Sequence, residues 1–247
     1  MIHYHGGPIT PETCARRAWS RGHAFVSFEN PGQIELAASI SQSFALDNGA
    51  FTFWKRGGNR DDWTSYYDWC AEWMTHPACD WAVIPDVIDG SERENDQLIS
   101  QWPFGHAGVP VWHLNESIDR LVRLAEDWPR VALGSTQQYD VSSPSKCLPR
   151  LSEAVDAVSD EKGRPLVKLH GLRMLNPAIT TRVPLASGDS TNIAQNIGMD
   201  GAWSRGTYPP ATKETRVDVI RERIELAVTP RRMDLAPLQG DLFEATP

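Results

Sequence analysis

The sequence has few cysteines and no closely spaced pair of them. Its four cysteines among 247 residues are Cys14, Cys70, Cys79 and Cys147, and they form no C-x-x-C motif. A zinc site or a disulfide framework is signalled by paired or closely spaced cysteines, so the sequence predicts neither. We expect free thiols, which are typical of the cytoplasm.

Long apolar runs are missing as well. No stretch approaches the roughly 18 apolar residues that indicate a membrane-spanning helix. The first residues, Met1 to Gly7, contain no basic stretch followed by an apolar run, so we expect no signal peptide. The sequence therefore predicts no membrane partner.

Positive charge is in deficit. The chain has 24 lysines and arginines against 32 aspartates and glutamates, a formal net charge of -8. This balance excludes a protein that coats nucleic acid through overall basic charge. It leaves room for an enzyme that holds a nucleic acid through one local basic face.

Short apolar runs alternate with helical patterns along most of the chain. The predicted strands are Ile2–His5, Ala24–Phe28, Ser43–Leu46, Trp81–Ile84, Val109–Leu114, Val131–Leu133, Leu166–Leu169 and Val183–Ala186. The predicted helices are Pro11–Ser20, Asp61–Met74, Ser91–Trp102, Glu116–Trp128, Ser145–Val158 and Lys213–Val228. This alternation predicts an α/β protein with a parallel sheet.

The number of strands favours closure of that sheet. Eight strands in a chain near the roughly 250 residues of a typical (β/α)8 barrel indicate a single TIM-like barrel. An open Rossmann-like sheet is the alternative, but no G-x-G-x-x-G and no Walker lysine loop is present. We expect a barrel catalytic domain over residues 1–229, closed by the helix Lys213–Val228. The tail, residues 230–247, is predicted to be disordered in part.

Polar residues recur at the ends of the predicted strands. These residues are His5, Glu29, Asp47, Asp86, His113 with Asn115, Ser135, His170 and Asp189. Barrel active sites form at this level, although each residue alone also fits a turn, a helix cap or a packing role. A metal site is an alternative, but His3 and His5 are the only closely spaced histidines. We therefore predict a site that contains no metal.

Three segments together resemble the tRNA-guanine transglycosylases. Phe44–Phe51 (FALDNGAF) resembles the D-S-G-G-F signature, and Val83–Asp86 resembles the next strand, whose aspartate reads the Watson–Crick edge of the purine. Leu185–Ser190 lies where that family has its nucleophilic aspartate. Ala132–Ser135 and Lys168–Gly171 are similar to the glycine-bearing strand ends that contact base and ribose. The resemblance is collinear from about residue 43 to residue 192.

Two departures from that family change the expected substrate. The zinc subdomain of the tRNA-modifying members is missing, since the last cysteine is Cys147, and His113 replaces a glutamine usual on the fifth strand. A short, zinc-free chain is similar to the branch that inserts 7-deazaguanine bases into DNA in phage and bacterial genome-modification systems. The resemblance thus implies DNA as partner, with tRNA as the alternative, a 7-deazaguanine base such as preQ0 as co-substrate, and no cofactor. It leaves open whether a helicase or ATPase opens the duplex.

The resemblance also implies roles for the polar residues. Asp189 is the expected nucleophile, which traps the sugar as a covalent intermediate, and Asp47 is expected to move protons. Asp86 is expected to accept hydrogen bonds from a guanine-like base. The further base-binding candidates are Asn48, Gly49, Phe51, His113, Gly134, Ser135, His170 and Gly171.

Nucleic-acid contacts are predicted from basic loops and aromatic residues. The basic candidates are Lys55, Arg56, Arg60, Arg173, Arg182 and Arg205. Phe51, Phe53 and Trp54 directly follow the aspartate motif and are candidates for stacking on an extruded base.

Two other functions stay open at this point. An N-glycoside hydrolase or base transferase acting on free nucleosides fits the acidic charge better than a DNA enzyme does. An inactive barrel that serves as a nucleic-acid-binding subunit is the alternative from another class.

Overall fold

The computed structural model describes residues 1–58, 62–199 and 209–235 of the chain. Within these ranges nine strands form one sheet in which every pair is parallel. The strands are β1 (Ile2–Gly6), β2 (His23–Ser27), β3 (Ser43–Asp47), β4 (Cys79–Val83), β5 (Gly108–Val109), β6 (Val111–His113), β7 (Arg130–Gly134), β8 (Lys168–Gly171) and β9 (Ser187–Ser190).

Ten α-helices lie in the same ranges. They are α1 (Glu12–Trp19), α2 (Ile34–Ile40), α3 (Ala50–Lys55), α4 (Thr64–Trp73), α5 (Glu92–Gln101), α6 (Ile118–Asp127), α7 (Pro144–Ala157), α8 (Pro177–Thr180), α9 (Asn192–Asn196) and α10 (Lys213–Glu225). The six predicted helices are confirmed as α1, α4, α5, α6, α7 and α10. The four that sequence analysis missed have seven residues or fewer, too few turns for a periodic apolar pattern.

The sheet is nearly closed into a barrel. Its order is β5-β4-β3-β2-β1-β9-β8-β7-β6, so its two edges are strands that follow one another in the chain. Only Pro110 separates them. The Val109 carbonyl accepts a hydrogen bond from the Ile84 amide at 3.0 Å, and the Pro110 carbonyl accepts one from the Ala132 amide at 2.9 Å. The two edge strands on either side of Pro110 are thus hydrogen-bonded to β4 and to β7, and this nearly closes the sheet.

The prediction of one unbroken strand over Val109–Leu114 is wrong. The segment divides at Pro110 into β5, which pairs with β4, and β6, which pairs with β7. Proline has no backbone N–H to donate to a ladder, so it occurs at strand ends and breaks.

The last two strands were predicted too early in the chain. β8 begins at Lys168 instead of Leu166, whose side chain is 77% exposed, and β9 begins at Ser187 instead of Val183. Val183 packs in the apolar layer between the strands and the helices. β9 contains no large apolar residue, and at Gly188 space is short, because a Cβ there would lie 3.3 Å from the Gly171 carbonyl on β8. Apolar content therefore marks the approach to this strand and not the strand itself.

Apolar side chains fill the inside of the sheet and separate it from the helices. Tyr4, Phe25, Trp81 and Val111 belong to the inner cluster, and two larger clusters lie between strands and helices. No helix in the described ranges has both the length and the apolar composition to cross a membrane.

The C-terminal helix packs as predicted over most of its length. α10 contacts α1 and α9 and buries Val217, Ile220 and Ile224. Val228, predicted on the same face, is 79% exposed and lies beyond the helix end. The domain boundary at residue 229 stays a prediction.

Candidate functional site

A cavity of about 530 Å³ opens at the carboxyl ends of the strands. Asp47, Asp86 and Asp189 all line it, together with His113 and Gly134. Asp47, His113 and Gly134 are the last residues of β3, β6 and β7, and Asp86 follows β4. Parallel strands end at one edge, so residues far apart in sequence meet there.

Asp189 is buried and held by one of its two oxygens. Its Oδ1 atom accepts a hydrogen bond from the Arg173 amide at 2.9 Å and lies 3.2 Å from Nε2 of His170. Its Oδ2 atom has no hydrogen-bond partner in the part of the chain that the structure describes. The Asp189 carboxylate is thus fixed in orientation while one oxygen is left for a ligand.

His170 supports Asp189 from below. The ring is completely buried, and its Nδ1 atom lies 2.8 Å from the Ser187 hydroxyl. Burial lowers the pKa of His170, although the Asp189 carboxylate acts in the opposite direction. The neutral ring that donates from Nε2 to Asp189 can accept from Ser187 at Nδ1, which satisfies both nitrogens.

Asp47 has the properties of a proton carrier. Burial, reinforced by the negative charge of Asp189, raises the pKa of Asp47 from 3.8 to about 7. Near neutral pH its carboxyl group therefore exists in both protonation states. A general acid or base works best when its pKa lies close to the working pH.

Asp86 is held through both oxygens. Asn48 donates from Nδ2 to Oδ1 at 2.7 Å, and Nε2 of His113 lies 2.9 Å from Oδ2. Each carboxylate oxygen can accept about two hydrogen bonds, so each keeps capacity for a ligand. Asp86 can therefore act as a double acceptor on the cavity wall.

The mouth of the cavity carries an aromatic ring covered by a guanidinium. The Arg173 guanidinium carbon lies 3.9 Å from the centroid of the Phe51 ring, and the Lys55 ammonium lies 5.6 Å from it. Arg56 also lines the cavity and pairs with Glu29 at 3.2 Å. Cations and an aromatic face are what an extruded nucleotide would meet at such an entrance.

The structure brings most of the predicted base-binding residues to the cavity. Asn48, Phe51, His113, Gly134 and Ser135 line it along with the three aspartates. The Asn48 amide nitrogen also donates to the Ile84 carbonyl, and its Oδ1 atom accepts from the Ala50 amide. Asn48 therefore holds Asp86 and the start of α3, and its base contact stays a prediction.

Three other predicted base-binding residues lie behind the cavity wall. Gly49 adopts a left-handed φ of 77° at the start of α3, and its amide hydrogen-bonds to the Asp47 carboxylate. Gly171 faces outward, where a Cβ would meet Leu185 and Met174 at 2.8 Å. His170 contacts Asp189 and does not line the cavity. All three therefore shape the site from outside.

The basic candidates divide into two groups. Lys55, Arg56 and Arg173 line the cavity. Arg182 does not line it, because it precedes β9 and so lies at the opposite, amino end of the strands, where its carbonyl accepts from the Asp234 amide. The nucleic-acid contacts of all four stay predictions. Arg60 and Arg205 lie outside the described residues.

Three polar residues at predicted strand ends do not line the cavity. His5 faces away from the sheet interior, with Nε2 3.1 Å from Glu225, and Asn115 is exposed. Glu29 pairs with Arg56 near the rim. Trp54, a stacking candidate, donates to Asp89 and does not line this cavity.

A buried carboxylate beside the site, Glu116, is not among the residues predicted from the sequence. Glu116 is 5% exposed and accepts from the His113 amide at 2.8 Å and from Arg120 at 2.6 Å. The sequence does contain a signal for this carboxylate: an acidic residue three positions after His113 is followed by an arginine four residues later.

No group of three or more histidine, cysteine, aspartate or glutamate side chains in the described ranges has the arrangement of a metal site. Comparison with known proteins identifies no relative: neither a family model, nor a curated protein, nor a solved structure matches the chain.

Proposed function

We propose that the protein is a base-exchange glycosyltransferase with a TIM-like (β/α)8 barrel, which replaces guanine in DNA by a 7-deazaguanine base such as preQ0. The observation that carries the proposal is the meeting of three carboxylates in one cavity: Asp189 with an oxygen that no described residue binds, Asp47 with a pKa of about 7, and Asp86 as a fixed acceptor. The resemblance to the transglycosylases supplies the reaction type.

The first half-reaction removes the resident base. The Oδ2 atom of Asp189 bonds to the anomeric carbon of the sugar, and the glycosidic C–N bond breaks. The electron pair of that bond leaves with guanine, which takes up a proton from neutral Asp47. The product is a covalent sugar–aspartate ester, and one difficult displacement becomes two easier ones.

The second half-reaction installs the new base. Ionised Asp47 removes the proton from the ring nitrogen of the incoming base, and that nitrogen bonds to the anomeric carbon. The ester C–O bond breaks, and its electron pair returns to Asp189. Both carboxyl groups end in the state in which they began.

Base selection rests on Asp86. A guanine-like base offers an amino group and a ring N–H side by side, and the two Asp86 oxygens can accept from both. Adenine has no ring N–H at that edge and would leave a buried acceptor unpaired, which costs about 10⁴-fold or more in discrimination at comparable sites.

DNA is the preferred substrate on the resemblance to the zinc-free branch. The cations and the Phe51 ring at the cavity mouth support an extruded nucleotide as ligand, since the target base must leave the duplex to be reached. A volume of about 530 Å³ is adequate for a nucleoside. We infer a cytoplasmic enzyme. The DNA duplex is opened either by this enzyme itself or by a helicase or ATPase partner.

The deciding experiment measures release of labelled guanine from DNA and from tRNA when preQ0 is supplied. Asp189→Asn serves as the inactive control, and mass spectrometry of the wild type detects the covalent sugar adduct. We expect release from DNA and an adduct, both lost in the variant. Release from tRNA alone would overturn the substrate, and no release from tRNA, duplex DNA or single-stranded DNA would overturn the exchange reaction on a polymer.

The acidic charge of -8 supports a second candidate, base exchange or hydrolysis on free nucleosides. The same assay separates the two, because that enzyme would turn over guanosine or deoxyguanosine and show no preference for the polymer. Equal polymer binding by the wild type and by Asp189→Asn, with no turnover by the wild type on any substrate, would instead indicate an inactive binding subunit.

A further inference from the structure

A line of buried polar side chains runs from the cavity wall into the protein. Asp86 contacts His113, His113 contacts Glu116, Glu116 contacts Arg120, and Arg120 donates to Asp96 on α5. Asp86, His113, Glu116 and Arg120 are each no more than 7% exposed. Such a line is costly to bury unless its charges and hydrogen bonds are matched.

The positions of the two ring nitrogens favour a protonated His113. Nε2 lies 2.9 Å from Asp86 Oδ2, and Nδ1 makes a longer contact of 3.5 Å with Glu116 Oε1, so both nitrogens face carboxylate oxygens. A neutral imidazole donates from one nitrogen only and would direct a lone pair at the other carboxylate. Only the imidazolium donates in both directions.

The charge balance of these buried residues also favours a protonated His113. Asp86 and Glu116 carry two negative charges, and Arg120 supplies one positive charge. Without a proton on His113 one buried negative charge would be uncompensated. Desolvation lowers the pKa of His113, but the hydrogen bonds and charges of Asp86 and Glu116 outweigh it and raise the pKa to about 9.

The other charged groups around Asp86 make this compensation necessary. Asp47 on β3 and Asp189 on β9 line the same cavity, and the Asp86 charge is one of the factors that raise the pKa of Asp47. Asp86 thus stands among like charges, whose mutual repulsion a neighbouring cation offsets. His113 is the only cation in direct contact with it among the described residues.

We propose that His113 is a positioning residue: held between Asp86 and Glu116, it orients the Asp86 carboxylate and so determines selection of a base with two adjacent N–H groups. This inference rests on the proposed function and adds to it. His113 stands where the transglycosylase family usually has glutamine, and this role accounts for the difference. Glutamine is uncharged and donates hydrogen bonds only from its one amide nitrogen.

Two measurements test the proposal. The first is nitrogen NMR of the His113 ring in the unliganded wild type, for which no variant has to fold. We expect an imidazolium signal up to about pH 8. A neutral ring at pH 7 would overturn the proposal.

The second measurement compares His113→Gln with wild type in binding of guanine and of hypoxanthine, which lacks the amino group, from about pH 5 to about pH 9. We expect His113→Gln to bind guanine about 10- to 100-fold more weakly and to lose most of its preference over hypoxanthine. KM for guanine should rise more than kcat falls, and the difference from wild type should narrow as the pH approaches about 9, where His113 itself loses its proton.

His106→Gln is the matched control, since His106 is exposed, precedes β5 at the amino end of the strands and does not line the cavity. A His113→Gln protein with unchanged circular dichroism, wild-type guanine preference and a wild-type pH profile would overturn the inference. Guanine binding by the wild type without any exchange would overturn the proposed function and leave this inference standing. No guanine binding by the wild type would overturn both.

Discussion

The backbone amide of Arg173 donates a hydrogen bond of 2.9 Å to Oδ1 of Asp189, while the Arg173 side chain covers the Phe51 ring at the cavity mouth. Arg173 reaches both groups with a left-handed backbone, at a φ of 60°. That conformation is costly for a residue with a side chain and is found mostly where surrounding structure enforces it. One residue thus links the candidate nucleophile to the entrance.

The two functions of Arg173 can be separated by replacing it with glycine. Arg173→Gly keeps the amide and removes the strain of about 1 kcal/mol, which offsets the lost cation–π contact of similar size. We expect a nearly unchanged melting temperature and weaker DNA binding, with the slope of log K against log salt reduced by about one.

Arg21→Gly is the matched control for that variant. Arg21 has a similar φ of 57° and lies between α1 and β2, at the amino end of the strands. It should gain stability without any change in DNA binding. An unchanged salt slope in Arg173→Gly would remove Arg173 from the nucleic-acid interface.

The proton transfers assigned to Asp47 predict a specific pH dependence. With the pKa of Asp47 at about 7, exchange should change slope near that pH. Asp47→Asn cannot carry a proton and should lower kcat by about 10² to 10⁴-fold. Its pH–rate profile should lack the wild-type inflection, and persistence of that inflection would assign it to another group.

The same residue makes a prediction about stability. The pKa of Asp47 is higher in the folded state, about 7 against 3.8, so folding becomes less favourable as pH rises from about 4 to about 7. Above that range Asp47 is ionised in the folded protein, and the full cost of burying its charge lowers the free energy of unfolding. Asp47→Asn should therefore raise the free energy of unfolding at about pH 8 by on the order of 1 to 3 kcal/mol and much less near pH 4.

Chemical denaturation at the two pH values measures this difference. Asp68→Asn, on the exposed surface of α4, is the control and should show no such pH dependence. Equal effects of Asp47→Asn at both pH values would contradict the raised pKa.

Gly134 leaves the space in which the His113 ring lies. A Cβ at this position would be 2.9 Å from Cδ2 of His113 and 3.0 Å from Cγ1 of Val111. We expect Gly134→Ala to cost about 1 to 3 kcal/mol of stability and to displace His113 from Asp86, with a raised KM for guanine. Gly32→Ala is the control, because nothing lies within 4 Å of a Cβ there. Equal melting temperatures and KM values for the two variants would contradict this packing.

The candidate site was predictable to the extent that it follows strand ends. Asp47, Asp86 and Asp189 were identified because parallel strands finish at one edge, and all three line the cavity. The side on which a nearby residue faces was not predictable. His5 and Gly171 stand at strand ends as the aspartates do, yet both face away from the cavity, because side chains along a strand alternate between its faces.

The sequence by itself determined the alternation of strands and helices, the six longer helices and the level at which the polar residues lie, since these depend on local periodicity and chain order. Tertiary structure alone decided the break at Pro110 and the position of β9, where the Gly171 carbonyl leaves little space at Gly188. It also decided which polar groups share a buried environment. The proton affinity of Asp47 and the pairing of His113 with Asp86 and Glu116 arise from desolvation and from charges on distant strands, and no local pattern encodes these.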